Sequence, residues 1–283
     1  MNTLLSIENL HINFKTFENN IKVVNGVSLD VKRGEVLSLV GESGSGKSTL
    51  CKSIMGILPK NAIIESGSIK FEGVDLIYRF DENDNSDNNS LCGKNENIQK
   101  TKITNIIRTE DISIVFQNPT SYLDPTLTVG SQIIEGILIS KKLSKREAKS
   151  RAVKLIGDVG LDNPKERFNQ YPHQLSGGML QRIAIAMAIS NKPKLIIADE
   201  PTTSLDTIVQ KQIVTLLLEI QEKYNTSIIF VTHDLRLAKS ISDRIAVMYR
   251  GEILEVGNCK DIYENPSSLY TKDLLNSLKK IDF

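Results

Sequence analysis

The sequence predicts an α/β fold with a parallel sheet at its core, and three observations carry that prediction. A short β-rich run, Val36-Leu37-Ser38-Leu39-Val40, leads through a glycine-rich loop at 41–46 into a helix from Lys47 to about Leu58, with Pro59 as its stop. Two further apolar strands, Lys194–Ala198 and Ser227–Val231, flank a helical stretch at about 207–223. Between about 126 and 190 apolar residues recur at helical spacing, so a helical block interrupts the α/β core.

The remaining elements follow in chain order. Residues 4 to 40 read as short strands with turns; Val27, Leu29 and Val31 alternate with polar residues, as in a half-buried strand. Residues 67–78 read as a hairpin with Ile69, Phe71 and Val74 as its apolar positions. Residues 81–100, rich in Asn, Asp and Glu, cannot bury enough apolar surface to offset their ordering entropy and are expected to form a mobile surface insert. A strand resumes at Ile112–Phe116. Ser144-Lys145-Arg146-Glu147 is a capping box, after which Ala148, Ala152, Leu155, Ile156 and Val159 share a helical face that Gly160 ends. Another helix starts near Ser176, with Leu180, Ile183, Ala184, Met187 and Ala188 at helical spacing.

Composition narrows the function classes. In 283 residues, Lys and Arg number 35 against 34 Asp and Glu, for a net charge of +1. That balance argues against holding nucleic acid through bulk charge, and no nucleic-acid partner is expected. No apolar run reaches the length that spans a bilayer, and no basic n-region precedes an apolar block at the N-terminus. Cys51, Cys92 and Cys259 are too few and too scattered for a disulfide framework or a zinc site, which fits a reducing cytosol. Cys51 is expected as a packed thiol, Cys92 as a loop thiol, and His11 and His173 as surface or loop residues. Asp81, Asn83 and Asn85 mimic the start of a calcium loop. Ser86 and Cys92 stand where that loop needs Gly and Glu, so the site is rejected.

Gly41-Glu42-Ser43-Gly44-Ser45-Gly46-Lys47-Ser48-Thr49 matches G-x-x-x-x-G-K-[ST], with the required strand before it and helix after it. Glycines at 41, 44 and 46 let backbone N–H groups turn toward phosphate oxygens, the helix N-terminus adds partial positive charge, and Ser43, Ser45 and Thr49 complete the candidate nucleotide-binding set. Lys47 can reach the β- and γ-phosphates, and the Ser48 hydroxyl can ligate Mg²⁺. The pattern implies a nucleoside triphosphate without saying what its energy drives. Leu195–Ala198 ends in Asp199 and Glu200, which in a parallel sheet fall beside the phosphate loop: Asp199 for Mg²⁺, Glu200 to polarise the attacking water.

Leu175-Ser176-Gly177-Gly178-Met179, followed by Gln181-Arg182, resembles the L-S-G-G-Q signature of the ATP-binding-cassette (ABC) ATPases, with Met179 in place of the final Gln. Ser176 and the amides of Gly177 and Gly178 form an anion site at a helix start; the resemblance implies that it binds the γ-phosphate of ATP held by a second subunit. The resemblance covers about residues 4–275 apart from the insert. It implies a P-loop NTPase, RecA-like parallel-sheet core with an N-terminal antiparallel β subdomain and an inserted α-helical subdomain at about 118–189. The ATPase domain then spans 4–258 and a tail 259–283. By the same resemblance Gln117 is the Q-loop glutamine near Mg²⁺ or water, and Ser204-Leu205-Asp206 is the D-loop, with Asp206 at the dimer interface. His233 is the switch histidine facing the γ-phosphate. Phe17, with Phe14 as the alternative, is the aromatic that stacks on adenine.

Phe116-Gln117-Asn118-Pro119 with Leu123-Asp124-Pro125, Tyr171-Pro172-His173-Gln174, and the tail Tyr263-Glu264-Asn265-Pro266 with Tyr270-Thr271-Lys272 resemble the peptide and nickel importer branch. The cysteine-bearing tail that carries an iron–sulfur cluster in some members has only Cys259 here, so no cluster is expected. The branch implies ATP and Mg²⁺ as cofactors, two membrane-spanning permease subunits, a second ATPase, identical or paralogous, and an extracellular solute-binding protein. It places the chain at the cytoplasmic face of the cell membrane. Other readings are a non-transport cassette ATPase, an exporter motor, or a nucleotide-dependent module without turnover. The cargo and the identity of the second cassette stay open at this point.

Overall fold

The computed structural model describes residues 2–16, 19–77, 101–140, 143–203 and 205–279. Among these the strands are β1 (Thr3–Lys15), β2 (Asn20–Lys32), β3 (Val36–Val40), β4 (Ala62–Phe71), β5 (Val74–Asp75), β6 (Ile112–Val115), β7 (Leu195–Asp199), β8 (Ser227–Thr232), β9 (Arg244–Tyr249) and β10 (Glu252–Asn258). Besides a helical stretch at 101–111, the α-helices are, in this numbering, α1 (Lys47–Met55), α2 (Val129–Ser140), α3 (Lys145–Asp158), α4 (Pro164–Arg167), α5 (Gly177–Ala188), α6 (Thr207–Tyr224), α7 (Leu235–Ile241), α8 (Cys259–Glu264) and α9 (Leu269–Lys279).

One sheet of six strands runs β10-β9-β3-β8-β7-β6, and a second of four runs β2-β1-β4-β5. In the larger sheet β9, β3, β8, β7 and β6 pair in parallel, while β10 is antiparallel to β9. The central strands are wholly buried, as expected of strands covered on both faces. The smaller sheet is antiparallel throughout. Its inner residues (Leu5, Ile7, Leu10, Val27, Ile69 and Phe71 among them) meet Leu37, Leu39, Ile197 and Val231 of the larger sheet in one core. A second core joins the helical block α2–α5, inserted between β6 and β7, to α6 and the other face of the sheet. A third, small core ties Ile262 and Leu275 of the C-terminal segment to Val40 and Val247.

Local chemistry explains most of these boundaries. The Ser144–Glu147 capping box is formed in both directions, and Ala148, Ala152, Leu155, Ile156 and Val159 are buried. Gly160, at φ +73°, follows that helix. Helix α1 stops at Met55, a turn short of the expected Leu58, because Gly56 takes the left-handed conformation and closes onto Lys52 and Ser53. The N-terminal strands are long rather than short. Register shifts along β1–β2 hide their length from a strict two-residue period. The hairpin at 67–78 exists, with Phe71 opposite Val74. However, β4 begins at Ala62 and pairs mainly with β1, and Val74 is exposed where the sequence placed it among the apolar positions. Strand β6 ends at Val115, one residue before the expected Phe116. Cys51 is buried as expected. The 81–100 insert with Cys92, and Phe17 and Ser204, lie outside the described residues.

Candidate functional site

Four neighbouring parallel strands deliver the site, each from its carboxyl end. β3 runs into the phosphate loop at Gly41, β8 ends one residue before His233, β7 ends at Asp199, and β6 ends two residues before Gln117. The order β3-β8-β7-β6 therefore sets the order of the chemical groups along one edge, where ligands of open α/β sheets bind.

The phosphate loop is held from beneath. A Cβ at Gly41 would sit 2.0 Å from the Met248 carbonyl oxygen, so only glycine fits there. Gly46, at φ +105°, is pressed against the Val23 carbonyl and Met248. Gly251 N–H donates to the Ser45 carbonyl at 2.9 Å. Ser45 is buried, and Ser43 and Gly44 lie on the open side of the loop. The Lys47 ammonium is buried and donates to the Gly41 carbonyl at 2.8 Å and the Glu42 carbonyl at 2.7 Å. Burial pulls its pKa down, against the opposing pull of Glu200 and Asp199. Thr49, at the third position of α1, follows Ser48.

Next to the loop, the Ser48 hydroxyl donates to Asp199 Oδ1 at 3.0 Å. Burial raises the Asp199 carboxyl above its usual range; the Ser48 hydrogen bond partly offsets this. A hydroxyl and a buried carboxylate facing each other are the hard oxygen donors that Mg²⁺ takes. Glu200, the next residue, is forced to φ +47°, a conformation rare outside glycine and costing about 1–3 kcal/mol at such sites. Its N–H donates to the Val231 carbonyl at 3.2 Å, which fixes that turn. Three side chains converge on its Oε2: the Thr203 hydroxyl at 2.9 Å, Gln117 Nε2 at 3.3 Å, and His233 Nδ1 at 3.8 Å.

The signature residues form a separate place. Ser176 caps α5 by accepting from the Met179 N–H, with Gly177 and Gly178 in the first turn. They lie against the start of α6: a Cβ at Gly178 would meet Val209, and one at Gly177 would meet Leu205. Asp206 caps α6 through the N–H groups of Ile208 and Val209. Met179 packs against the helical core. Phe14, the alternative adenine partner, is half-buried on the core between the sheets.

Three residues of the site escaped the sequence reading. Thr203 had a local signal, a hydroxyl three residues after Glu200 in the same turn. Met248 and Gly251 had none, since only the tertiary fold brings the β9–β10 turn under the loop.

Comparison with known proteins fits this geometry. A family model described as ABC transporter matches residues 24–203. The dipeptide transport ATP-binding protein DppD of Bacillus subtilis is 44% identical over 283 residues, 100% of this chain and 78% of that protein. The oligopeptide transport ATP-binding protein OppD of Escherichia coli is 39% identical over 279 residues, 99% of this chain and 77% of that protein. Among solved structures, a dimeric ATP-binding cassette in a post-hydrolysis state, bound to ADP and phosphate, superposes with a TM-score of 0.74. It shares 28% identity and covers 90% of this chain and 99% of its own. The cbiO1 component of the cbiONQ complex of Clostridium perfringens superposes at 0.72, with 28% identity over 99% of this chain and 98% of its own. Among the described residues no helix is long and apolar enough to cross a membrane.

Proposed function

The chain belongs to the ABC transporter family, and on that premise we propose that it is the ATP-hydrolysing motor subunit of a peptide importer. It works at the cytoplasmic face of the membrane. A second cassette, identical or paralogous, two membrane-spanning permease subunits and an extracellular solute-binding protein complete the assembly. Peptide is the proposed cargo class, rather than nickel or another chelate, because the relatives are named for dipeptides and oligopeptides.

The observation that carries the reading is the convergence of Thr203, Gln117 and His233 on one oxygen of Glu200, beside the Ser48–Asp199 pair. ATP lies with its phosphates on the amides of Ser43–Thr49. Lys47 supplies charge there, its two carbonyl partners being replaceable by phosphate oxygens. Ser48, Asp199 and Gln117 would hold Mg²⁺, which would supply positive charge against the phosphate oxygens. Glu200 accepts a proton from the attacking water as the water's oxygen bonds the γ-phosphorus and the bond to the bridging oxygen breaks, leaving ADP and phosphate. Gln117 and Thr203 aim the carboxylate, and His233 faces the γ-phosphate. An aromatic near the N-terminus, Phe17 or Phe14, stacks on the adenine. Ser176, Gly177 and Gly178, together with Asp206, serve the ATP of the second cassette, so each nucleotide is closed between two chains. ATP favours the closed pair because only that state completes its contacts.

Replacing Glu200 with Gln keeps the size and removes the base. Phosphate release by the assembled complex should fall about 10²–10⁴-fold, with ATP still bound and labelled-peptide uptake lost. Unchanged phosphate release would remove Glu200 from its role. Hydrolysis that falls while peptide uptake by cells continues would remove peptide as the cargo.

A further inference from the structure

The C-terminal segment reaches the phosphate loop. The Glu42 N–H donates to the Tyr270 hydroxyl at 3.3 Å across more than two hundred residues of sequence. This N–H and the Gly41 carbonyl belong to one planar peptide group. The carbonyl of that group accepts from Lys47 Nζ at 2.8 Å. The same plane is thus pinned at both ends, by the nucleotide-binding lysine on its oxygen and by Tyr270 on its nitrogen.

Tyr270 is itself firmly placed. Its ring lies 4.3 Å from that of Tyr249, tilted by 33°. Tyr249 follows Met248, whose carbonyl leaves no room for a side chain at Gly41. The start of α9 is fixed by Glu255, whose carboxylate accepts from the Ser267 and Ser268 N–H groups. Leu275 and Ile262 share the small core with Val40, the last residue before the loop. Further back, the Tyr263 hydroxyl donates to the Leu235 carbonyl, and Lys239 lies over its ring.

We propose that Tyr270 is a positioning residue for the nucleotide site: its hydroxyl fixes the Gly41–Glu42 peptide plane and so holds the phosphate loop in the shape that receives the nucleotide. The proposal rests on the reading of 41–49 as the ATP site. The tether adds nothing to the chemistry of the transition state, so its loss removes ground-state and transition-state binding equally.

The test is Tyr270→Phe, which keeps the ring against Tyr249, in the full chain. Titration with Mg-ATP and with ADP should show both dissociation constants raised about three- to tenfold, the scale of one lost hydrogen bond. Turnover by the assembled complex at saturating ATP should stay within about twofold, since the lost binding is uniform. Tyr263→Phe, which removes the other tyrosine hydroxyl of the tail without touching the loop, should leave both constants at the wild-type value. Unchanged affinity in Tyr270→Phe overturns the proposal, and so does an equal loss in both variants that follows a fall in melting temperature. Lys47→Ala beside them checks the underlying reading: wild-type nucleotide affinity there would remove the ATP site itself. Lost affinity there, with wild-type affinity in Tyr270→Phe, would remove only the tether.

Discussion

Gly41 and Gly44 sit three residues apart in one loop and are constrained differently. At Gly41 the obstacle is a neighbouring backbone oxygen, which cannot swing away, whereas the space around Gly44 is open and only its φ of +80° resists a side chain. Gly41→Ala should therefore destabilise by about 1–3 kcal/mol or more through overpacking, with nucleotide affinity falling as the loop shifts. Gly44→Ala should cost about 1–2 kcal/mol from the left-handed backbone alone. Urea unfolding of the two variants checks the order, and a larger loss at Gly44 would contradict the account of the loop's support. The residue scale is also where the sequence spoke most clearly. Lys47, Ser48, Asp199 and Glu200 lie in short motifs whose chemistry depends on adjacent positions. Tyr270 and Met248 act on the same loop from distant segments, and no local spacing signals such a contact.

Between elements, Glu72 joins three turns. It lies in the tight β4–β5 turn and accepts from Arg33, before β3, at 2.6 Å and from Lys194, before β7, at 2.7 Å. The two sheets are thereby pinned at the end opposite the nucleotide site. The Lys194 bond, with Arg33 behind it, holds the Glu72 carboxyl below its ordinary value of 4.5. A depressed carboxylate favours the folded state above its unfolded pKa, and that contribution fades as pH falls through the folded value. Glu72→Gln should thus cost about 0.5–1 kcal/mol at pH 7, with the gap to wild type closing as the pH falls below 4.5. Denaturation at a series of pH values measures it, and a gap that widened in acid would mean that Glu72 destabilises the fold when ionised. Packing between elements also explains why the sequence suggests short N-terminal strands. β1 changes register between Ile7 and Leu10 and again before Asn13, and Asn9 takes a positive φ. Its inward residues therefore fall out of step, and alternation appears only in fragments.

Across the whole molecule the two halves of the proposed ATP site should be separable by charge. A Cβ at Gly177 meets only Leu205 at an ordinary 3.8 Å, so Gly177→Asp is expected to fold while placing a carboxylate at the signature turn. The variant should keep its own nucleotide affinity, but hydrolysis by the assembled complex should fall at least about tenfold, since a phosphate facing that turn meets repulsion instead of a donor. Retained hydrolysis would place the second phosphate contact elsewhere. The α/β core, the helical insertion and the phosphate loop were legible because each rests on local periodicity or spacing. The packing of the tail into a core shared with Val40 was not, because it joins ends of the chain that no pattern relates.

The strand order also dictates when the nucleotide site can exist. β3, which carries the phosphate loop, has no neighbour in its own sheet until β8 and β9 are available, nearly two hundred residues later in the chain. β1, β2 and β4 can meanwhile close their antiparallel sheet from nearby segments. Long-range parallel pairing is slow to form because loop closure precedes its reward. During synthesis the loop therefore emerges early and stays unfinished until late, exposing an apolar strand in the interval. Nucleotide capture then marks the completion of folding rather than one of its early stages.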